Sequence, residues 1–468
     1  MVTDPAGVTP GCSFLPPERT DARIDCMKVV YAIHHFPPRY TGGAELRALR
    51  TAGEMQSRGH QVQVVCVERI DSGPQEGVKW EDDRYAGLRV RRLSFNLASA
   101  PDRFLWDYDN PWIGDHLYDL LGKIRPDLFH LIGGYLISGR ALQVAQALGI
   151  PCVVSLTDFW FLCPRTTLWR SDGRLSSLPV DPLSCARCLG EERRRYRLPA
   201  RLAPALMDFY WRGQTRRLSQ LRRRQVYLHQ TLNASQAILS PSQFLRNLFI
   251  EAGIDAQRIH FMRQGLEFVG QPAEESSKPP ATHLRVGYLG QIAEHKGLHV
   301  LFEAARRLPG VPLSVHAYGN PSVFPRYTRR LQRLAAIDHR LQIAGPYQRQ
   351  QVSQVFHRLD VVVVPSLWYE NSPNVILEAF AHRTPVIASR LGGMAELVRH
   401  GENGLLFAPG DSDDLARQLR RLAEDPALLA RLRVNVPPVK VFNEEMDQLE
   451  TLYAQIVNPV AQERLLKM

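Results

Sequence analysis

No uninterrupted apolar run in this 468-residue chain approaches the roughly 18 residues needed to cross a bilayer, so any membrane attachment is expected to be peripheral. Residues 1–25 contain no apolar stretch of the secretory type. They are rich in Pro, Gly and small polar residues and read as a disordered leader, so a cytoplasmic protein is expected. Cysteine is scarce: seven residues, an odd number without a visible secretory signal, argue against a disulfide framework. Cys163, Cys185 and Cys188 supply three of the four ligands of a structural zinc site, and reduced thiols are the favoured reading. Acidic residues are in deficit, 47 against 58 Lys plus Arg, leaving a formal charge of +11. That excess suits anionic partners: nucleotides, acidic lipid surfaces or nucleic acid. No nucleic-acid reading module accompanies the charge, which counts against the last. No short-period repeat is present.

What is there is length and apolar content. A chain of this size exceeds one core, and two domains of roughly 200 residues each are expected. From Lys28, "KVVYAI" reads as a buried strand, "TGGAE" as a break and "LRALRTAGEMQSRG" as a helix ending at Gly59; "QVQVVCV" then restores a strand. This βαβ unit implies a parallel sheet. Apolar runs at Leu128–Ile132, Cys152–Leu156 and Ala237–Leu239 extend it, interrupted by a basic insertion over residues 159–230. "GQPAEESSKPPA", Gly270–Ala281, has the composition of an interdomain linker. Beyond it "LRVGYLG", "LSVHAYG", "LQIAG", "DVVVVPS" and "PVIAS" read as the buried strands of a second parallel sheet. The division expected is a leader over 1–25, an N-terminal domain over 26–240, a C-terminal domain over 241–440, and a final helix over 441–468 returning to the N-terminal domain.

The stretch "WYENSPNVILEAF" places Glu370 and Glu378 on either side of a strand-to-helix turn, at the carboxyl edge of the sheet where open α/β folds bind ligands. Ser372 is expected to cap the helix with Pro373 at its first position, freeing the N–H groups of Asn374 and Val375 for an anion. Glu378, further along the helix, reads either as reaching toward ribose hydroxyls or as a solvated helix residue, with Glu370 then a loop charge. Another strand end carries Gly290, Lys296 and Gly297, able to hold a diphosphate through close backbone approach and a point charge.

"ENSPNVILEA" resembles the E-x7-E motif of the GT4 family of retaining GT-B glycosyltransferases. "GGAE", "RPDLFH", "SPSQFL", "GQIAEHKG" and "LGGMAELVRHGENGLLFAPGD" follow the same family order, and the likeness runs from Lys28 to about Val457. It implies an α/β GT-B fold, with two Rossmann-like, doubly wound parallel-sheet domains facing a cleft. It also implies hexosyl transfer from a nucleoside diphosphate sugar to a glycan or lipid-linked acceptor, as in surface polysaccharide biosynthesis, with no metal and no cofactor beyond the co-substrate. By the resemblance Glu370 contacts the transferred sugar and Lys296 neutralises the diphosphate. Gly290, Gln291, Asn374, Val375 and Glu378 bind the donor, while Gly42, Gly43 and Asp158 serve the acceptor or the phosphate. His130, close to a strand end, reads as a structural histidine or, alternatively, as an acceptor contact. Two departures stand out: Gln291 replaces the usual Arg, and Thr157 replaces a His before Asp158.

Other features carry bland alternatives. Asp107 and Asp109 mimic a metal-binding D-x-D but do not end a nucleotide-binding strand. His34 and His35 near a strand end read as structural or catalytic, and Glu396 as a donor contact or a helix cap. The Arg runs between Arg193 and Arg224, with Phe209, Tyr210 and Trp211, suit either an anionic membrane surface or a solvated helical face. The rival functions are a catalytically silent nucleotide-binding relative and a basic adaptor.

Overall fold

The computed structural model describes residues 25–176, 180–267 and 282–458. Nearly all of the expected leader and the whole Gly270–Ala281 linker lie outside these residues. The first sheet contains β1 (Lys28–Ile33), β2 (Gln61–Arg69), β3 (Lys79–Tyr85), β4 (Leu88–Ser94), β5 (Leu128–Ile132), β6 (Cys152–Ser155), β7 (Ala237–Ser240) and β8 (Ile259–Phe261). Their spatial order is β3-β4-β2-β1-β5-β6-β7-β8. The second contains β9 (Leu284–Leu289), β10 (Leu313–Tyr318), β11 (Leu341–Gly345), β12 (Val361–Val364), β13 (Val386–Ser389) and β14 (Gly404–Phe407), in the order β11-β10-β9-β12-β13-β14. Strand pairing within both sheets is parallel except between β3 and β4.

Each sheet reverses its winding once, between β1 and β5 and between β9 and β12. A crevice opens at such a reversal because the crossover helices leave to opposite faces. The central strands are apolar along their length, as burial on both faces requires: β12 is four consecutive buried valines.

One domain boundary and two edge strands differ from the sequence expectation. The first domain does not stop at 240: β8 and the Gln243–Glu251 helix complete its sheet. β8 is a three-residue edge strand with two exposed residues, too short to leave an apolar pattern. β3 was also invisible, since "KWEDDRY" is charged and exposed on an edge, where charge prevents further pairing. A two-residue loop joins it to β4, with Ala86 and Gly87 both at positive φ, as a tight hairpin requires.

The insertion is helical after its first loop: Pro182–Glu191, Arg194–Leu202, Pro204–Arg212 and Thr215–Asn233. It has a small core of its own around Ala186, Met207, Trp211 and Leu221. Trp211 and Arg224 are therefore not surface groups. Trp211 is buried in that core, and Arg224 lies over the Trp160 ring with its guanidinium donating to the Trp160 carbonyl.

The Phe442–Val457 helix packs against the first domain, burying Met446, Leu449 and Tyr453 beside Val29, Tyr31 and Met55. His130 belongs to this seam. It is almost fully buried, with Nδ1 bonded to the Tyr453 hydroxyl and Nε2 2.8 Å from Ser155 Oγ. Burial pushes the imidazole down to about 3, so it stays neutral. The expectation that His130 touches an acceptor is therefore corrected: its polar atoms are spent on fastening the last helix. Tyr453→Ala is expected to destabilise the protein by about 3–5 kcal/mol, through the lost ring and the stranded imidazole, and Tyr453→Phe by about 1 kcal/mol. Denaturant midpoints compared with the wild type check the ranking.

Candidate functional site

Lys296 and Glu370 come from loops 74 positions apart in sequence. They meet because β9 and β12 are neighbours, with Val286 opposite Val361. Lys296 Nζ lies 2.6 Å from Glu370 Oε1, which also accepts from Ser366 Oγ at 2.7 Å and Trp368 Nε1 at 2.9 Å. Burial alone would raise the Glu370 carboxyl, but the Lys296 charge and these hydrogen bonds outweigh it and hold it below the usual carboxylate range. The glycine after the lysine is a steric necessity. Gly297 sits at φ +73°, and a Cβ there would come within 1.9 Å of the Pro365 carbonyl oxygen. Only without a side chain can the lysine loop close over the end of β12.

The turn between Glu370 and the Asn374–Ala381 helix is fixed from the opposite side by Gly392 and Gly393. Gly393 donates its N–H to the Glu370 carbonyl at 2.8 Å, and a Cβ on it would sit 2.0 Å from the Asn371 oxygen. Pro373, not Ser372, is the N-cap, and no side chain caps the helix. The expected Ser372 cap is thus corrected, because a prolyl residue at φ −68° already sets the extended entry. The consequence is chemical: Ser372 Oγ and Asn371 Oδ1 are buried with no protein partner. The first N–H groups of the helix, at Asn374 and Val375, are likewise left open by helix geometry. Buried polar atoms are seldom left unsatisfied, so this cluster has the character of a ligand seat.

Both domains hold this turn. Asn371 Nδ2 donates to the Thr157 carbonyl at 2.8 Å, and Tyr369 packs against Phe244 and Phe159. Glu396 accepts from the Phe244 N–H at 2.8 Å and pairs with Arg263, so it caps a first-domain helix across the domain seam. Thr157 lies just past the end of β6 and contributes its backbone carbonyl to that seam. Asp158 accepts the Trp160 N–H at 2.7 Å; burial raises its carboxyl, partly opposed by that bond.

Beside the turn lies a cleft of about 360 Å³ lined by Gly43, Arg47 and Arg50 from the first domain and Tyr347, Arg349, Asn374 and Glu378 from the second. Gly43, Arg47 and Arg50 share one helix face at i, i+4 and i+7. Gly42 is the helix N-cap beside the Glu45 carboxylate, and no atom lies within 4 Å of where a Gly43 Cβ would stand. Arg349 pairs with Glu267 at 2.7 Å, and Arg50 approaches the same carboxylate at 3.9 Å. Burial raises Glu378 to about 7, with Arg349 and Arg50 opposing. The arginines went unnoticed in the sequence, although their spacing behind the "GG" pair was a usable signal. Arg47 pairs with Glu445, so the three arginines of the cleft are matched by Glu267, Glu378 and Glu445 in the same lining, and they offer guanidinium donors rather than the net charge that Gln291 lacks. Gln291 itself is exposed, its carbonyl accepting from Tyr288 at 2.6 Å, and Gly290 precedes it at φ +151°.

The remaining candidates have structural partners. His34 Nε2 lies 3.4 Å from Glu45, and His35 stacks on Tyr40 at 3.8 Å. Asp107 is buried near Arg224, while Asp109 pairs with Arg140 at 2.7 Å and accepts from Tyr227. Cys163, Cys185 and Cys188 are free thiols. Among the described residues, no group of three His, Cys, Asp or Glu is arranged to hold a metal ion.

Family profiles match both halves of this architecture. A "Glycosyl transferase 4-like domain" covers residues 42–265, and "Glycosyl transferases group 1" covers 283–425. The chain belongs to the GT4-type glycosyltransferases. The chain is 32% identical over 199 residues to a D-inositol 3-phosphate glycosyltransferase of Rhodococcus erythropolis, covering 40% of this chain and 45% of the relative. It is 35% identical over 181 residues to the lipopolysaccharide core biosynthesis glycosyltransferase LpsE of Rhizobium meliloti, covering 38% and 51%. The chain thus spans about half the length of the curated relatives it matches. Among solved structures, a sucrose-phosphate synthase from Thermosynechococcus elongatus superposes with a TM-score of 0.62 at 18% identity, covering 92% of this chain and 99% of that one. Anabaena HepE in complex with UDP gives 0.57 at 18% identity, covering 94% and 100%. The fold is GT-B.

Gly297→Ala is expected to cost about 2–4 kcal/mol, since the loop must shift away from Pro365; denaturant unfolding checks it. A second outcome concerns pH. Glu378 binds its proton more tightly in the folded protein than at its ordinary value of 4.5, so its stabilising contribution is full below that value and lost as pH rises through about 7. Glu378→Gln is therefore expected to raise the melting temperature at pH 8 by a few degrees, roughly 1 kcal/mol, and by less at pH 5. Melting curves at the two pH values check the sign.

Proposed function

We propose that this protein is a retaining transferase that moves a hexosyl unit from a nucleoside diphosphate sugar to a glycan or lipid-linked acceptor in surface polysaccharide assembly. The observation that carries the proposal is the Lys296–Glu370 pair set beside the unsatisfied polar atoms of the Asn371–Val375 turn. A cation after β9, open helix N–H groups after β12 and the Glu378 carboxylate on the same helix lie at one edge of the second sheet, and these are the groups a nucleotide sugar requires.

In this reading the nucleoside occupies the 360 Å³ cleft, where Glu378 accepts the ribose hydroxyls. The diphosphate reaches the Asn374 and Val375 amides and Lys296. There preorganised donors stabilise the negative charge that grows on the departing phosphate. The ammonium is already in place, shared with Glu370, and the ligand draws on it without reorganising the loop. Glu370 then accepts a hydroxyl of the sugar, and Gly43 leaves room for the donor from the opposite domain. Asp158 is tied to the Trp160 amide, so we assign the acceptor's proton to the leaving phosphate, with attack from the face it vacates. The reading needs no protein nucleophile. LpsE, named for lipopolysaccharide core biosynthesis, supports the polysaccharide setting. The reading sets the enzyme in the cytoplasm, without a cofactor beyond the co-substrate.

A thermal-shift screen of nucleoside diphosphates and their sugars is expected to reveal one selective stabiliser. Lys296→Ala is expected to lower turnover about 100-fold or more, and Glu378→Ala to abolish the nucleotide-dependent shift. Wild-type turnover in the lysine variant would remove the assignment, and nucleotide binding without transfer to any acceptor would favour the silent relative.

A further inference from the structure

The Arg194–Leu202 and Pro204–Arg212 helices expose what folded proteins normally hide. Leu198, Leu202, Leu206 and Phe209 are 61%, 76%, 66% and 77% accessible. The two helices are not loosely held: Trp211 and Met207 are buried beneath them, and the Tyr196 and Tyr210 hydroxyls lie 3.3 Å apart between them. Around the leucines stand Arg194, Arg195, Arg197 and Arg201, and the Arg194–Leu202 helix contains no acidic residue.

A second segment with the same character lies in the other domain. The Pro325–Ile337 helix carries Arg326, Arg329, Arg330 and Arg333 and no acidic residue, and Val323 and Phe324 protrude just before it. The two segments are more than 100 positions apart in sequence, yet they border one cleft. That cleft, about 1140 Å³, is lined by Arg201 on one side and by Val323, Phe324 and Arg326 on the other. Glu294, His295 and Leu367 line it further in, next to Lys296.

We infer that these two segments form one docking surface, spanning both domains, for an anionic lipid bilayer. The charge selects the partner. The Arg194–Leu202 and Pro325–Ile337 helices hold no acid, Asp208 of the Pro204–Arg212 helix is already paired with Arg187, and of the four Pro325–Ile337 arginines Arg330 pairs with Glu303. The excess of arginine would repel a second copy of this chain, whereas a lipid surface supplies negative headgroups and an apolar layer in the same plane. The protruding leucines and phenylalanines enter the headgroup boundary while the guanidinium groups meet phosphates. The cleft between the segments then opens at the membrane, beside the lysine loop, so an acceptor carried on a lipid reaches the transfer site without leaving the bilayer. This last consequence rests on the proposed transfer; the docking surface does not.

The test is co-sedimentation of the full chain with vesicles of phosphatidylcholine alone or mixed with phosphatidylglycerol. Binding to the mixed vesicles is expected to be about 10-fold tighter and to weaken as salt is raised. L198S/L202S/F209S and, separately, R326Q/R329Q/R330Q/R333Q are each expected to weaken it by about 10-fold, while both retain the melting shift given by nucleoside diphosphate. Hydrogen exchange of the wild type is expected to show vesicle-dependent protection over 194–212 and 323–333, which needs no variant to fold. Equal partitioning to both vesicle types, undiminished binding in the second variant, or protection confined to other segments would overturn the inference. A variant that loses vesicles but keeps its nucleotide shift separates failure of this surface from failure of the donor site.

Discussion

The ion pair between Lys296 and Glu370 organises the second domain's end of the molecule. Two charged groups are partly withdrawn from water here, and Ser366 and Trp368 help to offset that cost by completing the carboxylate's hydrogen bonds. Such a pair contributes little net stability but strongly fixes geometry: losing either partner strands a charge. It fastens the loop after β9 to the turn after β12 at the one point where the sheet reverses its winding. The turn that carries the open helix amides starts from that fastening.

The turn itself is over-determined. Gly297 allows the lysine loop to touch Pro365, Gly393 allows the next loop to touch Asn371, and Asn371 reaches across to the first domain through the Thr157 carbonyl. Close backbone approach on three sides leaves Ser372 and Asn371 with polar atoms that no protein group can reach. A rigid seat with unsatisfied polar atoms is a preorganised one, because its desolvation cost is met in folding rather than on binding. Glu396, by joining Phe244 and Arg263 across the seam, adds a contact that domain movement would have to break.

Much of the fold was legible. The valines of β12 and the apolar runs of β1, β2 and β9 announce strands buried on both faces, and the ordered motifs identify the two-domain architecture. β3 and β8 were hidden because edge strands lie against solvent and carry no apolar signature. Of the candidate site, Glu370, Lys296, Gly43 and Asn374 stand at strand ends and helix starts, as their sequence context suggested, and Glu378 lies within the Asn374–Ala381 helix. His130 was misread: a histidine near a strand end looks the same in sequence whether it faces a cleft or, as here, a tyrosine from the final helix 323 positions away. Arg224 and Trp211 were misread for the same reason, since a basic, aromatic helix does not declare which of its faces is covered.

Sequence alone determined what depends on local chemistry: strand and helix periods, the glycines that turns demand, the net positive charge, and the motif order that marks the family. Tertiary structure alone decided which distant groups meet. It joined Lys296 to Glu370 through the adjacency of two strands, closed the arginines of the first domain over Glu378, and brought two basic, apolar segments to the rim of one cleft. Periodicity reports a residue's relation to its own element, whereas pairing across a sheet or a domain seam is set by topology and packing, which no local pattern contains.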